Sequence, residues 1–562
     1  MNTSLVDGSD TLERLLSLRQ QLDSSKLSDD DQQFLWKMRY KIQSNFPQML
    51  PVLADCPYIW KERETICEFY SLLANWPELN VDSAMELLDG RYPDCVVRAT
   101  AVNKLDEKLG DDQMQLYLLP LIQAIKYESF SASPLALLLV KRALLNYHIG
   151  HTLFWLLRAE LAQFTYEVNT QRMPQMYVRY ALMLEAYCRG NSVHLESMLK
   201  QVEMVNTLTA LSAMVKSMSA KDSATKVKKL QQELKLLKES LQHMQSPMNS
   251  TDRLGELIID ECRVLSSAKM PLKLTWNNPE PLSRLTIPTH QIMFKNGDDL
   301  RQDMLTLQVM RIMDTKWKNH NLDYCMTLYE VLPMGRSIGM IHVVQNCQTI
   351  FQIQMAAKQV SSALNMDNTL LNRYIYQKCS NDSKQYMECV DRFAYSLAGY
   401  SIATYVLGIK DRHQDNIMLT KDGRIFHIDF GHILGHTKRK LGINRERTDF
   451  ILTDHFLYVV SRGKPNFRET HEYNSFREAC IKGFMVIYHH ARFFIALFQM
   501  MLCMGLPELS KPEDVHFLHT SLIYEKTKRE DAKSAFTKIF DDVAKSDWST
   551  NINWFFHSVK HL

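Results

Sequence analysis

Residues 408–432 read GIKDRHQDNIMLTKDGRIFHIDFGH, a pattern typical of a β-hairpin bordered by two polar loops. Apolar residues fill positions 417–419 before the turn and recur at positions 425, 426 and 428 after it. Between the two runs, Asp422-Gly423 supplies the positive backbone dihedral that a tight hairpin turn requires. The pattern therefore predicts two short strands joined by a turn.

Three polar residues border this predicted hairpin at a fixed spacing. Asp411 and Asn416 lie five residues apart on the loop before it, and Asp429 follows Asn416 by thirteen residues at its exit. Kinases use such an arrangement to hold an acid-base group and two metal-binding oxygens around the terminal phosphate of a nucleotide. Because the joint spacing is more specific than an isolated Asp-Phe-Gly, it predicts a phosphoryl-transfer site.

The composition indicates a folded, multidomain protein. A chain of 562 residues exceeds what one hydrophobic core organises, so about two to four domains are expected. The 66 basic and 63 acidic residues leave a net charge of only +3, which argues against nucleic acid as a partner. The 11 cysteines contain no Cys-x-x-Cys pair, which favours a reducing compartment over a disulfide framework or a zinc ribbon.

The sequence predicts neither a secretory leader nor a transmembrane helix. The first ten residues, MNTSLVDGSD, lack a basic segment followed by an apolar run. The most apolar stretches, residues 135–157 and 484–506, are interrupted by Lys, Arg or His. Both stretches are therefore expected to form buried helices.

Helical spacing dominates the chain from about residue 10 to residue 190. It covers residues 82–88, 96–109, 111–127 and 134–147, with short connections between them. This pattern favours a solenoid-like array of helical hairpins, with a plain helical bundle as the alternative.

One amphipathic helix and then a mixed α/β domain are predicted after residue 217. Apolar residues recur every 3 or 4 positions from Val227 to Leu241, a repeat too short to favour a dimeric coiled coil over packing on the neighbouring domain. Strand-like segments follow at residues 272–276, 291–294, 324–331 and 339–344.

Two cationic positions in this α/β region suit a nucleotide phosphate. Residues 266–269 read Ser-Ser-Ala-Lys and form a predicted turn, which fits either phosphate oxygens or an ordinary polar turn. Lys295 ends a predicted buried strand, where a lysine is costly unless it meets an anion such as an ATP phosphate. Asp303 lies one turn into the next predicted helix, where it would either orient Lys295 or join a surface ion-pair face.

Several sequence strings together closely resemble the catalytic subunits of class I phosphoinositide 3-kinases. They are CRVLSSAKMPL (262–272), FKNGDDLRQDMLTLQ (294–308), GIKDRHQDN (408–416) and HIDFGH (427–432), with FLW (34–36) and INWFFHSVKHL (552–562) towards the two ends. The resemblance implies an all-α helical-repeat domain (residues 1–190), followed by a bilobal α+β kinase domain with an N-lobe (191–345) and a C-lobe (346–562). The adaptor-binding, Ras-binding and β-sandwich domains that usually precede them have no counterpart in these residues, so we expect a shortened chain.

The resemblance also implies how ATP and Mg²⁺ are bound, with Mn²⁺ as an alternative metal. Asn416 and Asp429 match the metal ligands of the family. The residues implied to contact ATP are Ser267 and Lys269 (phosphate-covering loop), Lys295 (phosphates), Asp303 and Tyr329 (pocket behind the adenine), Ile341, Val343 and Val344 (interlobe hinge), and Met293, Met418 and Ile428 (walls around the adenine ring).

The catalytic acid-base assignment draws on the order Asp411-Arg412-His413, which reverses the His-Arg-Asp order of protein kinases. By resemblance to the lipid kinases, His413 is the expected base, and an unperturbed histidine pKa near 6.5 suits that role. Asp411 is expected to orient His413, and Arg412 is counted with them in the catalytic loop. His432 is expected to stabilise charge on the transferring phosphoryl group, with a purely structural role as the alternative.

A basic segment follows the predicted hairpin, with one acid, Glu446, among its five cations. A solvated run of charge is the ordinary explanation, but the position corresponds to a kinase activation loop. The resemblance implies that these cations bind the headgroup of phosphatidylinositol 4,5-bisphosphate by charge-assisted hydrogen bonds. They are Lys438, Arg439, Lys440, Arg445 and Arg447.

Contacts with a membrane and with a regulatory subunit are implied near the two ends of the chain. Trp554, Phe555 and Phe556 either enter the lipid headgroup layer or pack on the C-lobe. Asp29, Asp30 and Asp31 resemble an acidic patch for a phosphotyrosine-binding domain of a regulatory subunit, or they cap a helix. A cytoplasmic enzyme recruited peripherally to the plasma membrane is therefore expected.

Three functions remain open from the sequence. An ATP-dependent phosphoinositide 3-kinase is favoured by the basic segment. A serine/threonine protein kinase of the related phosphoinositide-kinase-like family shares the Asp-Arg-His and Asp-Phe-Gly motifs. A helical scaffold with a degenerate kinase is disfavoured, because Lys295, Asp411, Asn416 and Asp429 are all present.

Overall fold

The computed structural model describes residues 3–20, 27–168, 174–219, 222–358, 369–379, 382–437, 439–440, 443–444, 448–523 and 529–545. Internal contacts divide the chain into two compact units. The first unit comprises Met1–Leu109, Met310–Thr327 and Asn346–Leu562, and the second comprises Gly110–Val309 and Leu328–Gln345. The domain limits inferred from motifs, residues 1–190, 191–345 and 346–562, remain a prediction.

Helices form the described part of the first 217 residues, as the sequence predicted. Local signals fix where they begin: Asn80 and Asp94 accept backbone N–H groups at the start of α6 and α7, and Ser133 does so before Pro134 at the start of α9. The helices are α1 (Thr3–Gln20), α2 (Asp29–Lys37), α3 (Arg39–Asn45), α4 (Leu50–Ala54), α5 (Arg63–Ala74), α6 (Val81–Glu86), α7 (Cys95–Lys108), α8 (Asp111–Ala124), α9 (Pro134–Leu145), α10 (Tyr147–Val168), α11 (Pro174–Gly190) and α12 (Ser192–Ser217).

The apolar stretch at residues 135–157 forms parts of two helices, α9 and α10, which pack against each other. Leu139, Leu153 and Trp155 are fully buried there, so the prediction of buried helices is confirmed. Within the described residues, no single helix is long and apolar enough to cross a membrane. Two consecutive helical segments, His471–His489 and Ala491–Met504, meet the length and composition criteria only as a pair bent by 64°.

The second unit continues with a helix and an antiparallel sheet. Its elements after α12 are α13 (Ser223–Leu237), β1 (Met244–Gln245), β2 (Arg253–Leu254), β3 (Arg263–Val264), β4 (Leu272–Asn277), β5 (Thr289–Asn296), the start of α14 (Arg301–Asn319), β6 (Val331–Gly335) and β7 (Ile338–His342). Five strands form one sheet in the order β3-β4-β5-β7-β6. Leu230 and Leu234 of α13 are fully buried and the helix packs on β3, so it contacts the mixed α/β region that follows it, as predicted.

One predicted strand, residues 324–331, is wrong for most of its length. The strand β6 begins only at Val331, and the residues before it join no ladder. Tyr324 instead packs edge-on against the Trp317 ring at 4.8 Å and donates its hydroxyl to the Ala479 carbonyl at 2.6 Å. The next residue, Cys325, has a φ of +49°, which is incompatible with a strand. Long-range contacts of the Tyr324 side chain thus take the place of the strand pairing expected at residues 324–331.

The C-terminal part of the first unit is mainly helical around a small sheet. Its elements are β8 (Cys347–Thr349), α15 (Ile350–Lys358), α16 (Leu370–Lys378), α17 (Ser383–Val406), β9 (Ile417–Thr420), β10 (Ile425–His427), β11 (Arg439–Lys440), β12 (Ile443–Asn444), α18 (Asp454–Val460), α19 (His471–His489), α20 (Ala491–Met501), α21 (Pro512–Ser521) and α22 (Arg529–Lys545). Three strands pair in the order β10-β9-β8. The second half of α17 is buried on all sides and ends directly before the polar loop at residues 408–416.

Candidate catalytic site

The predicted hairpin is confirmed as β9 and β10. Their register pairs Leu419 with Ile425 and Ile417 with His427, which places the open end of the hairpin next to the two polar loops. Gly423 closes the turn with a φ of +93° and donates its N–H to the Thr420 carbonyl at 3.1 Å. Ile417, Leu419 and Ile425 are almost fully buried, so the hairpin is a rigid base for the loops.

The two predicted metal-binding oxygens lie at this open end. The Ile428 N–H donates to the Asn416 carbonyl at 3.0 Å, which continues the ladder by one pair and brings Asn416 beside the residue before Asp429. The Asn416 side-chain amide donates its Nδ2 to the Asp411 carbonyl at 2.9 Å. Because Nδ2 is engaged in this way, Oδ1 is the atom that Asn416 offers to a cation. Asp429 is exposed, as a carboxylate that meets a ligand must be.

Both carboxylates next to the hairpin have left-handed backbones. Asp411 has a φ of +62° and Asp429 a φ of +60°. This region is sparsely populated for residues other than glycine, although aspartate tolerates it better than most. Strained backbone of this kind clusters at functional sites, where surrounding contacts hold it in place.

Arg412 supplies those contacts. Its side chain is buried, with 4 % of the residue exposed. The guanidinium donates to the Lys410 carbonyl at 3.0 Å, to the Ile428 carbonyl at 2.7 Å and to the Asp429 carbonyl. Arg412, which the sequence grouped with the catalytic residues, therefore ties the loop that carries Asp411 to the segment that carries Asp429. We interpret it as a positioning residue.

The two candidate histidines have different hydrogen-bond partners. The His413 Nδ1 accepts the backbone N–H of Asp415 at 3.3 Å. The His432 Nδ1 lies 2.6 Å from the Oε1 of Glu508, a residue that sequence analysis missed. Glu508 follows His432 by 76 residues, and its Leu-Pro-Glu-Leu context gives no local sign of a role at the site.

A third histidine, His427, is structural. It is fully enclosed and its ring stacks on Tyr400, with ring centroids 4.9 Å apart. Burial, assisted by the nearby charge of Arg412, lowers the pKa of His427 well below its usual value. The ring is therefore neutral at physiological pH and belongs to the core beneath the hairpin.

The residues implied to meet the nucleotide phosphates lie in the second unit. Ser267 and Lys269 are exposed on the turn between β3 and β4, which the Met270 N–H closes by donating to the Ser267 carbonyl at 2.9 Å. The Lys295 Nζ at the end of β5 lies 2.8 Å from the Oδ2 of Asp298. Asp298 is thus a partner of Lys295 that sequence analysis missed, whereas the predicted orienting role of Asp303 stays a prediction.

A further lysine of the second unit approaches this phosphate-loop region. Lys216, near the end of α12, donates its Nζ to the Asn296 carbonyl next to Lys295. Burial and the nearby charge of Lys269 lower the pKa of Lys216, with Asp298 acting in the opposite direction. The sequence did not predict that Lys216 lies near this region, because Lys216 is in a helix more than 50 residues before Lys269.

Most of the residues implied to surround the adenine lie in the second unit. In the second unit, Met293 of β5 pairs with Ile341 of β7, and the Val343 N–H donates to the Gln291 carbonyl at 2.9 Å. Tyr329 is nearly buried there, and Val344 follows Val343 after the end of β7. In the first unit, Met418 lies in β9 and Ile428 directly after β10. Their contacts with a nucleotide remain predictions.

The structure describes only part of the other predicted contact sites. Lys438, Arg445 and Arg447 lie outside the described residues, as do Trp554, Phe555 and Phe556, and for Arg439 and Lys440 only the backbone is described. Asp29, Asp30 and Asp31 form the first turn of α2, where Ser28 caps the helix. Arg14 pairs with Asp30 and, at 2.6 Å, with Asp31. Helix capping and an internal ion pair thus account for part of this acidic run.

Comparison with protein-family models gives two matches along the chain. The accessory (PIK) domain of the phosphoinositide 3-kinase family matches residues 5–200, and phosphatidylinositol 3- and 4-kinase matches residues 289–511. The second match contains Lys295 and the whole hairpin with its two loops.

Two curated relatives match nearly the whole chain. Phosphatidylinositol 3-kinase age-1 of Caenorhabditis elegans is 44% identical over 560 residues, which cover 95% of this chain and 47% of the relative. The protein of the same name from Caenorhabditis briggsae is 41% identical over 555 residues, covering 95% of this chain and 45% of the relative. The chain thus spans about half the length of these relatives. With an accessory helical region followed by a kinase catalytic region, the chain belongs to the phosphoinositide 3-kinase family.

Proposed function

We propose that this chain is an ATP-dependent phosphoinositide 3-kinase of class I. It transfers the γ-phosphate of ATP to the 3-hydroxyl of the inositol ring, with phosphatidylinositol 4,5-bisphosphate as the preferred substrate. The observation that carries this proposal is the open end of the β9–β10 hairpin, where Asn416, Asp429 and Asp411 converge. The relatives are named phosphatidylinositol 3-kinases, which supports the same activity.

The donor atoms at this end of the hairpin fit a magnesium ion. Asn416 offers an amide oxygen and Asp429 a carboxylate, and Mg²⁺ prefers one or two such oxygen ligands together with phosphate oxygens and water. Among the described residues, no group of three or more His, Cys, Asp and Glu side chains forms an all-protein metal cage. When bound, Mg²⁺ neutralises charge on the phosphates during transfer.

The chain's own residues position and move the proton of the accepting hydroxyl. In our proposal His413 takes that proton, Asp411 orients the base, and His432 stabilises charge on the transferring phosphoryl group. Arg412 holds the loop and the Asp429 segment in register, so these groups keep a fixed spacing. On the nucleotide side, Lys295 and Lys269 bind phosphate oxygens as cations.

The preference for a doubly phosphorylated headgroup rests on the sequence of the basic segment. Its five cations stand against one acid, and each phosphate that they meet gains charge-assisted hydrogen bonds. Access to such a lipid requires peripheral contact with the plasma membrane, to which we assign Trp554, Phe555 and Phe556. We also propose that a regulatory subunit with phosphotyrosine-binding domains contacts Asp29, Asp30 and Asp31. Asp29 is the most exposed of the three, and its distance from the Lys61 Nζ is 3.9 Å.

The substrate class is tested by presenting radiolabelled ATP with Mg²⁺ to the chain and to separate vesicles of phosphatidylinositol, its 4-phosphate and its 4,5-bisphosphate. Label at the 3-position, greatest on the 4,5-bisphosphate, is the expected result. A serine-containing peptide in place of the vesicles is the control, because label on the peptide alone would point to a protein kinase instead. Absence of label on every acceptor would contradict the proposal altogether.

A further inference from the structure

Glu508 makes a two-point contact with the segment that carries His432. Its Oε1 lies 2.6 Å from the His432 Nδ1, and its Oε2 accepts the backbone N–H of Ile433 at 2.7 Å. Both side chains are largely shielded, with 21% of His432 and 15% of Glu508 exposed. Each carboxylate oxygen therefore has its own donor, and the orientation of the carboxylate is fixed.

The turn that presents Glu508 is itself anchored. It spans residues 506–509, and the Leu509 N–H closes it by donating to the Leu506 carbonyl at 3.2 Å. Leu506 and Leu509 are almost completely buried on either side of Glu508. On the other partner, the His432 carbonyl accepts the Lys410 N–H at 3.0 Å, which ties His432 to the loop of Asp411. The pair thus joins two fixed segments of the same unit.

Hydrogen-bond chemistry assigns the proton in this pair. An ionised carboxylate only accepts, so the His432 Nδ1 must carry a proton and donate it to Glu508. His413 shows the opposite pattern, because its Nδ1 accepts a backbone N–H. The two histidines are therefore prepared for different tasks.

We propose that Glu508 is a positioning residue that acts on phosphoryl transfer through His432. This inference rests on the proposed function of the site. Glu508 keeps the Nδ1 of His432 protonated and stabilises the imidazolium form, whose Nε2–H donates to the transferring phosphoryl group as negative charge develops there. Glu508 itself touches neither substrate nor nucleotide in this scheme.

The substitution Glu508→Gln tests the inference with little change of shape. The Ile433 N–H retains the single side-chain oxygen, so the new amide NH₂ faces the His432 Nδ1 and favours a neutral ring with its proton on Nε2. We expect kcat to fall about 10- to 100-fold, while the KM values for ATP and lipid stay within about twofold. In a His432→Ala background, Glu508→Gln should cause no further loss.

Asp514→Asn is the matched control. Asp514 follows Glu508 by six residues, lies 3.4 Å from the Nε2 of His436 and accepts the backbone N–H groups of Ser510 and Lys511. Asp514 lies in the first turn of α21 and is therefore a second carboxylate near Glu508 that contacts a histidine, but a different one. We expect its substitution to leave kcat unchanged.

A spectroscopic measurement separates this inference from the substrate assignment. With ¹⁵N-labelled histidine, the His432 signals, identified by their loss in His432→Ala, should report a protonated Nδ1 in the unsubstituted chain and an unprotonated Nδ1 in Glu508→Gln. If the wild type phosphorylates a different acceptor but both effects of Glu508→Gln persist, only the substrate assignment fails. Unchanged ring signals, an unchanged kcat, or an equal loss of kcat with and without His432 would each overturn the role of Glu508.

Discussion

At the open end of the hairpin, the Asn416 amide contacts the loop of Asp411, and the buried Arg412 joins that loop to the segment of Asp429. The sequence predicts a common site for Asp411, Asn416 and Asp429 because they follow each other at short, fixed intervals. In the structure they lie at one end of the hairpin. The sequence does not predict the role of Glu508, because its contact with His432 spans 76 residues and depends on how two segments fold together. For Arg412, the motif predicted a place in the catalytic loop but not the buried clamp of three carbonyl contacts.

The clamp predicts that Arg412→Lys is not a conservative change. A lysine ammonium cannot reach all three carbonyls, and buried acceptors left without donors should cost about 3 kcal/mol of stability. We expect a lower thermal midpoint, and lower phosphate transfer even at saturating ATP, because Asp411 and Asp429 lose their common support. Thermal unfolding alongside initial rates measures both. Arg189→Lys, at a side chain that is 80% exposed, should change neither, and an Arg412→Lys protein with full activity would refute the clamp.

Among the secondary-structure elements, the hairpin followed directly from the sequence, whereas the strand expected at residues 324–331 did not form. The hairpin succeeds because Asp422-Gly423 encodes its turn locally and its apolar residues face one core. The failed strand has the right residue types, but Tyr324 is held by long-range contacts with Trp317 and Ala479 that no local pattern reveals.

The turn of the hairpin predicts a large penalty for Gly423→Ala. Gly423 has a φ of +93°, and an added Cβ would lie 2.3 Å from the Cys389 carbonyl oxygen. Strain and steric overlap together should destabilise the first unit by about 2–4 kcal/mol. Gly505→Ala is the matched control, because Gly505 has a φ of +66° but open space around its Cβ position, so about 1 kcal/mol is expected. Urea unfolding measures both, and equal losses would show that the contact with Cys389 is irrelevant.

Packing of α10 against α12 predicts a pH dependence of stability. Burial lowers the pKa of His151 to about 4, while an unfolded chain has a value near 6.5. Between these two values the unfolded state binds a proton at His151 and the folded state does not. The stabilisation that neutral His151 provides is therefore fully present above pH 6.5 and is lost as the pH falls towards 4. At pH 5 the loss should be about 2 kcal/mol.

His151→Gln isolates that contribution, because His148 and His194 also lie nearby. The Oε1 of Gln201 accepts hydrogen bonds from the His151 Nε2 at 3.1 Å and from the Trp155 Nε1 at 3.0 Å, and a glutamine at position 151 can still donate to it. Denaturant unfolding of the second unit at pH 7.5 and pH 5 should show a smaller loss in the variant. Identical losses in the two proteins would contradict the assignment to His151.

At the scale of the whole chain, charged side chains join segments of the first unit that are far apart in sequence. Asp82 of α6 pairs with Lys316 of α14 at 2.5 Å and with His490. One turn later, Glu86 pairs with Arg492 of α20 at 2.6 Å. These contacts connect the accessory helices with the kinase region within one compact unit, and they explain why its limits differ from those read from motifs.

Removal of Asp82 should loosen this connection. Hydrogen bonds and charge from His490 and Lys316 hold the pKa of Asp82 below its usual value despite burial, so Asp82→Ala leaves the partly buried Lys316 charge without compensation. We expect a local loss of about 3–5 kcal/mol, seen as faster amide hydrogen exchange in both α6 and α20. Glu185→Ala removes an exposed ion pair with Arg189 and should cost at most about 0.5 kcal/mol. If amide hydrogen exchange in α20 stays unchanged in Asp82→Ala, the ion pairs do not couple α6 to α20.

Two aspartates of the same hairpin separate the proposed metal binding from the structure of the turn. Asp429→Asn removes the proposed metal-binding carboxylate at the open end, whereas Asp422→Asn alters an exposed carboxylate at the turn. We predict that transfer of phosphate from ATP to phosphatidylinositol 4,5-bisphosphate vesicles falls at least about 100-fold in Asp429→Asn and stays within about threefold in Asp422→Asn. Full turnover in a folded Asp429→Asn protein would contradict the assignment of this hairpin as the phosphoryl-transfer site.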